Sequence, residues 1–127
     1  MTNTMEALSA FFSTFGIPAY AEGDVPDRGP DGAKVKPPYI TVQPVEPHWR
    51  ASVPFYARVW YRSNSYAAIN ATVDAIREAI GEGVSLPTPT GAVYVYPGDT
   101  FAQYQAQAGD PTLKCAYLQM QLMAHTT

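Results

Sequence analysis

The sequence has one cysteine, two histidines and few charges. The lone Cys115 forms no intrachain disulfide and offers no CxxC pair for zinc, which fits a reducing interior. Charged residues make up 15% of the chain, against about 25% in an ordinary soluble domain. The formal net charge is −3, from 8 basic and 11 acidic residues. Arg28, Lys34, Lys36, Arg50, Arg58, Arg62, Arg77 and Lys114 are dispersed singly. No stripe exists to neutralise phosphates, so a DNA or RNA reader is not expected. No uncharged apolar run approaches the roughly 20 residues that cross a bilayer. The first residues include Glu6 and lack the basic segment of a secretory signal. The expectation is a soluble protein, made inside the cell and without a membrane partner.

The usual signatures of chemistry are missing too. Neither G-x-x-x-x-G-K-[ST] nor G-x-G-x-x-G occurs, so nucleotide phosphates have no recognisable cradle. His48 and His125 form no H-x-x-x-H pair, and no serine stands in a G-x-S-x-G elbow. Cys115 sits in an apolar strand pattern with no histidine or helix start to lower its pKa, and reads as a small buried hydrophobe. Asp24, Asp27 and Asp31 lack the alternating spacing of a calcium loop. Asp99 and Asp110, in PGDT and GDPT, match turn residues whose carboxylates bond nearby backbone. The expectation is no catalytic residue, no metal site and no cofactor.

What the chain does have is core-forming material. Hydrophobic residues are 46% of 127, and 12 Pro and 9 Gly add many turns. One α+β domain over 1–127 is expected. Met5, Leu8, Phe12 and Phe15 recur at spacings of three and four, which predicts an amphipathic helix. Asn3 and Glu6 have the form of a capping box, and Gly16 with Pro18 ends the helix. Its polar side carries Ser9, Ser13 and Thr14 rather than lysines, so it suits packing on a sheet better than lying on a membrane. A Gly-, Pro- and Asp-rich stretch at about 22–38 reads as a long loop, with a short strand near Pro18–Ala21 ahead of it.

Tyr39–Val45 and Val53–Arg62 read as strands joined through EPHWRAS. In the second, Val53, Phe55, Ala57, Val59 and Tyr61 share one face, and Tyr56, Arg58, Trp60 and Arg62 the other. Tyr66, Ile69, Val73, Ile76 and Ile80 predict a second helix, capped by Asn64 or Ser65 and ended by Gly81. After the turn-like EGVSLPTPTG comes a strand at Ala92–Tyr96, then a polar loop at about 97–111. A last strand, Leu113–Met123, turns Ala116, Leu118, Met120 and Leu122 one way and Gln119 and Gln121 the other. The order is α-β-β-α-β-β, with room for one more strand. That gives a mostly antiparallel sheet of four to five strands covered by two helices.

With chemistry absent, surface remains. A strand face of Trp, Tyr and Arg has the composition of a protein interface. The candidate contact residues are Arg58, Trp60 and Arg62 on that face, Trp49 and Arg50 at the preceding hairpin, and Phe101 and Tyr104 on the polar loop. Two plainer readings compete: the arginine stems cover Trp60, and Phe101 and Tyr104 fold back on their own domain.

Taken in order, these pieces resemble the tail terminator, or tail completion, proteins of long-tailed bacteriophages. The likeness covers roughly residues 3–124. It runs through the helix MEALSAFFSTF, the segment PPYITVQPVEP and the aromatic strand VPFYARVWYRS. It continues through the helix SYAAINATVDAIREAIG, the tyrosine strand GAVYVYPGD and the last strand LKCAYLQMQLMA. The strongest piece is the aromatic strand leading into the helix from Ala71 to Ile80. The resemblance implies a non-enzymatic virion component, present in the host cytoplasm during assembly. It implies a ring of six copies on the last disc of the tail tube, touching the tube protein and the head-side connector. DNA would only pass through the lumen, and a mildly acidic lining would not grip it. No catalytic residue carries over. A closed ring needs two different patches per subunit, and the Trp60 face with one loop arm is the expected pair. Other readings are a neighbouring connector or head-completion protein, a small host binding module, and an enzyme using Asp99, Asp110 or His48.

Overall fold

The computed structural model describes residues 2–29, 31–46, 51–89 and 91–126. The chain forms α1 (Thr2–Phe12), β1 (Ala19–Ala21), β2 (Tyr39–Val42), β3 (Val53–Arg62), α2 (Ala67–Ile80), β4 (Val84–Thr88), β5 (Gly91–Gln107) and β6 (Asp110–Thr126). It is an α+β fold with one sheet of six strands, in the order β1-β2-β3-β6-β5-β4. This exceeds the four to five strands expected. The pairing of β1 with β2 is parallel, whereas the rest are antiparallel.

The parallel pair explains the loop at 22–38. Parallel neighbours need a crossover, because the chain must return to the starting end of the first strand. The crossover is partly built: Arg28 and Lys34 form an antiparallel bridge, and the Val35 N–H donates to Asp27 O at 3.0 Å.

Both helices lie on one face of the sheet. Ile40, Val42, Phe55, Ala57, Val59, Val93, Val95, Ala116, Leu118, Met120 and Leu122 point into this face and are buried. Leu8 and Phe12 of α1, with Ile69, Val73, Ile76 and Ile80 of α2, cover it. Burying each such large aliphatic or phenyl side chain contributes about 1.5–3 kcal/mol relative to exposure. Helix α2 rests on β3, β5 and β6, whereas α1 touches both edge strands, β1 and β4. The sheet therefore curls around its helices, and α1 bridges the gap between its two edges.

The first helix ends as expected: a single 3-10 turn (Ser13–Phe15) closes on Gly16 at φ +88°, a conformation glycine adopts without steric cost. Asn3 of the expected capping box has a side chain outside the described set. The start of α2 differs from expectation. Tyr66 occupies the N-cap position with no side-chain cap bond, and Ser65 Oγ instead accepts the Ala67 N–H at 3.3 Å. Gly81 ends the helix at φ +55°, its N–H donating to Arg77 O.

Two further expectations are corrected. The stretch EGVSLPTPTG, read as a turn, contains β4, where Val84 and Leu86 face inward beside Ser85 and Pro87. Proline is tolerated there because β4 is an edge strand. The stretch at 97–111, read as a loop, is instead the second half of β5, a turn at Ala108–Gly109, and the start of β6. A bulge hid it: between Pro97↔Met120 and Ala102↔Leu118, residues Gly98 to Phe101 oppose Gln119 alone. A bulge reverses which residues face which side, so the alternation used to recognise strands breaks.

Candidate protein-contact face of the sheet

The second face of the sheet has no helix on it among the described residues. Its side chains follow from the register. From β1 and β2 come Tyr20, Tyr39 and Thr41, from β3 come Tyr56, Arg58, Trp60 and Arg62, and from β6 come Cys115, Tyr117, Gln119 and Gln121. Tyr94 and Tyr96 of β5 continue it. The expected separation of the β3 residues into Phe55–Ala57–Val59 and Tyr56–Arg58–Trp60 is what the fold shows, the first set being core.

The aromatic rings on this face touch one another. Tyr56 and Tyr117 stack at 5.0 Å between centroids, Tyr20 and Tyr39 meet edge-to-face, and Tyr94 leans on Tyr96. The Arg58 guanidinium lies 5.1 Å from the Tyr56 ring and 5.5 Å from the Tyr117 ring, a cation–π arrangement. Glu22, just past β1, closes the cluster: Oε1 accepts the Tyr56 hydroxyl at 2.5 Å, and Oε2 lies 3.7 Å from Arg58. Glu22 Oε2 and Arg58 Nε are buried without a hydrogen-bond partner among the described residues. The hydrogen bond to Glu22 raises the Tyr56 pKa, because it favours the protonated phenol, and burial adds to the effect.

Trp60 is half-buried, and its indole N–H donates to Thr41 Oγ1 at 3.0 Å. Arg62, at the end of β3, pairs with Asp110 and donates to Thr112 Oγ1 at 3.2 Å. Its hydrogen bond holds the Asp110 carboxyl below the ordinary value, with help from Thr112. Arg62 thus pins the turn end of the β5–β6 hairpin.

Phe101 and Tyr104 stand elsewhere. The bulge turns Ala102, Tyr104 and Ala106 toward the helix side, opposite Leu118, Ala116 and Lys114. Phe101 lies under the Arg77 guanidinium, 5.3 Å from its ring centroid, and packs on the core. For Phe101 the fold-back reading is the one observed. Tyr104 meets Tyr66 edge-to-face yet stays 39% exposed, the one exposed large hydrophobic among the described residues. Lys114 is buried on the same side, its ammonium donating to Pro111 O at 2.6 Å beside the Tyr66 ring.

The structure therefore puts Arg58 and Trp60 on one face, ties Arg62 to the turn end of the β5–β6 hairpin, and puts Phe101 and Tyr104 across the sheet. Trp49 and Arg50 lie outside the described residues. Sequence reasoning missed Glu22, which it left in a loop, and Tyr117. Tyr117 shares the strand parity of Gln119 and Gln121 and was accessible by that signal.

A shallow cleft of about 410 Å³ opens on this face beside the bulge. Its lining includes Tyr56 and Tyr117, Gly98 and Asp99 of the bulge, and Gln43 and Gln121. Cys115 is fully buried, and desolvation pushes its thiol up to about 11. A thiol held neutral at physiological pH is a poor nucleophile. Among the described residues no group of three His, Cys, Asp or Glu could hold a metal, and no helix is long and apolar enough to cross a membrane. Comparison with protein-family models, with curated proteins and with solved structures finds no match. The open face itself carries aromatics and arginines, residue types enriched in protein interfaces.

Proposed function

We propose that this chain is a tail terminator of long-tailed bacteriophages. In this reading it forms a ring of six copies that ends the tail tube and joins it to the head-side connector. Its role is structural, not catalytic. The observation that carries the reading is the one-sided sheet: both helices lie on one face, and the other presents Tyr20, Tyr39, Tyr56, Arg58, Trp60 and Tyr117. Stacked aromatics support the sheet by themselves, and in a subunit flanked by copies and by a tube disc the same face is also buried against a partner. The resemblance in element order and in the aromatic strand leading into α2 supports the same assignment. A ring is heterologous, so each subunit must offer two unlike patches. The open face and the β5–β6 hairpin are such a pair.

The test is tube growth. Tube protein of the same particle, polymerised alone, makes tubes of uncontrolled length. Addition of this chain is expected to halt elongation and to leave a ring at one end by electron microscopy. Tubes that lengthen unchanged and carry no terminal ring would refute the reading. A ring found at the connector instead would favour a neighbouring neck protein.

A further inference from the structure

We infer that the outer edge of the β5–β6 hairpin pairs with itself: two copies of the chain join β5 to β5, antiparallel, about Tyr104. The inference does not rest on the ring reading. β5 runs from Gly91 to Gln107, but β4 covers only Gly91–Val95 of its outer side. Beyond Val95 no strand lies on that side among the described residues. Alternate backbone N–H and C=O groups there have no ladder partner. Gln103, Tyr104, Gln105 and Ala106 are all exposed. Sheet edges are ordinarily kept from pairing by shortness, proline or charge. β1 is 3 residues long and β4 carries Pro87, whereas residues 100–109 contain neither proline nor charge.

The sequence of this edge selects a second copy as its occupant. Ala102-Gln103-Tyr104-Gln105-Ala106 reads the same in both directions. Antiparallel pairing centred on Tyr104 therefore sets alanine against alanine, glutamine against glutamine and tyrosine against tyrosine. A glutamine amide both donates and accepts, so Gln103 and the Gln105 of the second copy satisfy one another. The register also pairs odd with odd and even with even, so backbone groups pointing outward in one copy meet those pointing outward in the other. Tyr104 keeps its own-chain contacts, Tyr66 at 5.9 Å between centroids and a hydrogen bond with Arg77, and gains a cross-strand aromatic pair.

Space allows the pairing. In this register Gly109 of the second copy comes opposite Asp99, short of Val95, where β4 begins to pair. Helix α2 touches β3, β6 and β5, and so centres on β6. The two copies of α2 then lie three strand spacings apart, about 14 Å, beyond the roughly 8–10 Å of helices in contact. The contact is isologous and closes at two copies. The ring reading gives the same hairpin to a neighbour, so ring growth displaces the pairing, and the dimer is the form of the free subunit.

Charge placement tests the register. Gln103→Lys with Gln105→Lys sets lysine opposite lysine twice, and Gln103→Glu with Gln105→Glu does the same with glutamate. By sedimentation equilibrium each variant alone is expected to dimerise at least about tenfold more weakly than the unaltered chain. Their mixture is expected to regain the dimer, at twice 13.8 kDa, which also shows that both variants fold. In parallel, Gln103→Cys and Gln105→Cys chains are oxidised together, both carrying Cys115→Ala because Cys115 lies opposite Gln105 in the ladder. A disulfide-linked dimer is expected from the mixture and not from either chain alone. Variants that associate like the unaltered chain, or a mixture that yields neither dimer nor disulfide, overturn the pairing. So does an unaltered chain that stays monomeric at millimolar concentration. Tube capping by the unaltered chain judges the ring reading separately: a chain that caps tubes but never forms this dimer overturns the pairing alone.

Discussion

The Tyr56 hydroxyl donates to Glu22 Oε1 at 2.5 Å, joining residues 34 positions apart across three strands of the open face. The distance is that of a charge-assisted O–H···O⁻ bond. It fixes the Tyr56 ring against Tyr117 and ties the end of β1 into the face that the ring reading places between subunits.

The Tyr56 phenol should titrate above its ordinary value, about 10, because Glu22 accepts its proton. The folded state then holds the proton more firmly than the unfolded chain. The bond's stabilising contribution is complete below pH about 10 and is lost as pH rises through the raised value. Ring-labelled tyrosine NMR follows this phenol among the 9 tyrosines. In Glu22→Gln its titration is expected to fall toward 10, and an unmoved titration would contradict the bond.

Cys115 should be inert in the native protein. With its thiol near 11 and its side chain buried, a thiol reagent at pH 8 is expected to react only as fast as the chain opens. In denaturant the same thiol reacts at once. The raised value also means that the thiol's contribution to stability is present below the unfolded pKa, about 8.5, and is lost as pH climbs toward 11. Immediate stoichiometric labelling of native protein would show the thiol to be exposed.

Phe12 sits fully buried on α1, the helix that touches both edge strands. Phe12→Ala leaves a cavity at that bridge and is expected to cost about 3–5 kcal/mol in urea denaturation. Glu78→Ala, on the solvent side of α2, serves as the control and should stay within about 0.5 kcal/mol.

At Gly98, where the bulge begins, a side chain has little room. A Cβ would stand 3.1 Å from Gln119 O. Gly98→Ala is expected to cost about 1–3 kcal/mol through overpacking and to shift the amide resonances of Gln119 and Met120. Unchanged stability and unchanged shifts would mean that the bulge gives way freely.

The helices and the core strands were legible because each repeats one period long enough to stand out. Leu8 and Phe12, Ile69 through Ile80, and Phe55–Ala57–Val59 against Ala116–Leu118–Met120 all fell where spacing put them. What failed had local causes. Pro87 and its neighbours masked β4, and the bulge after Pro97 cut β5 in two. The parallel β1–β2 pair depends on a crossover that no local pattern announces. For the contact face, Arg58 and Trp60 were readable from alternation. Glu22 was not, because its partner Tyr56 is reached only by folding. The facing of Tyr104 also depends on the bulge, which acts beyond the range of any sequence period.

Light scattering of the unaltered chain, over a range of concentrations, asks the central question directly. A subunit weighs 13.8 kDa, and the account predicts a concentration-driven rise to about 83 kDa, the mass of a six-membered closed ring. A mass fixed at 13.8 kDa at every concentration, and equally in the presence of tail tubes, would contradict it.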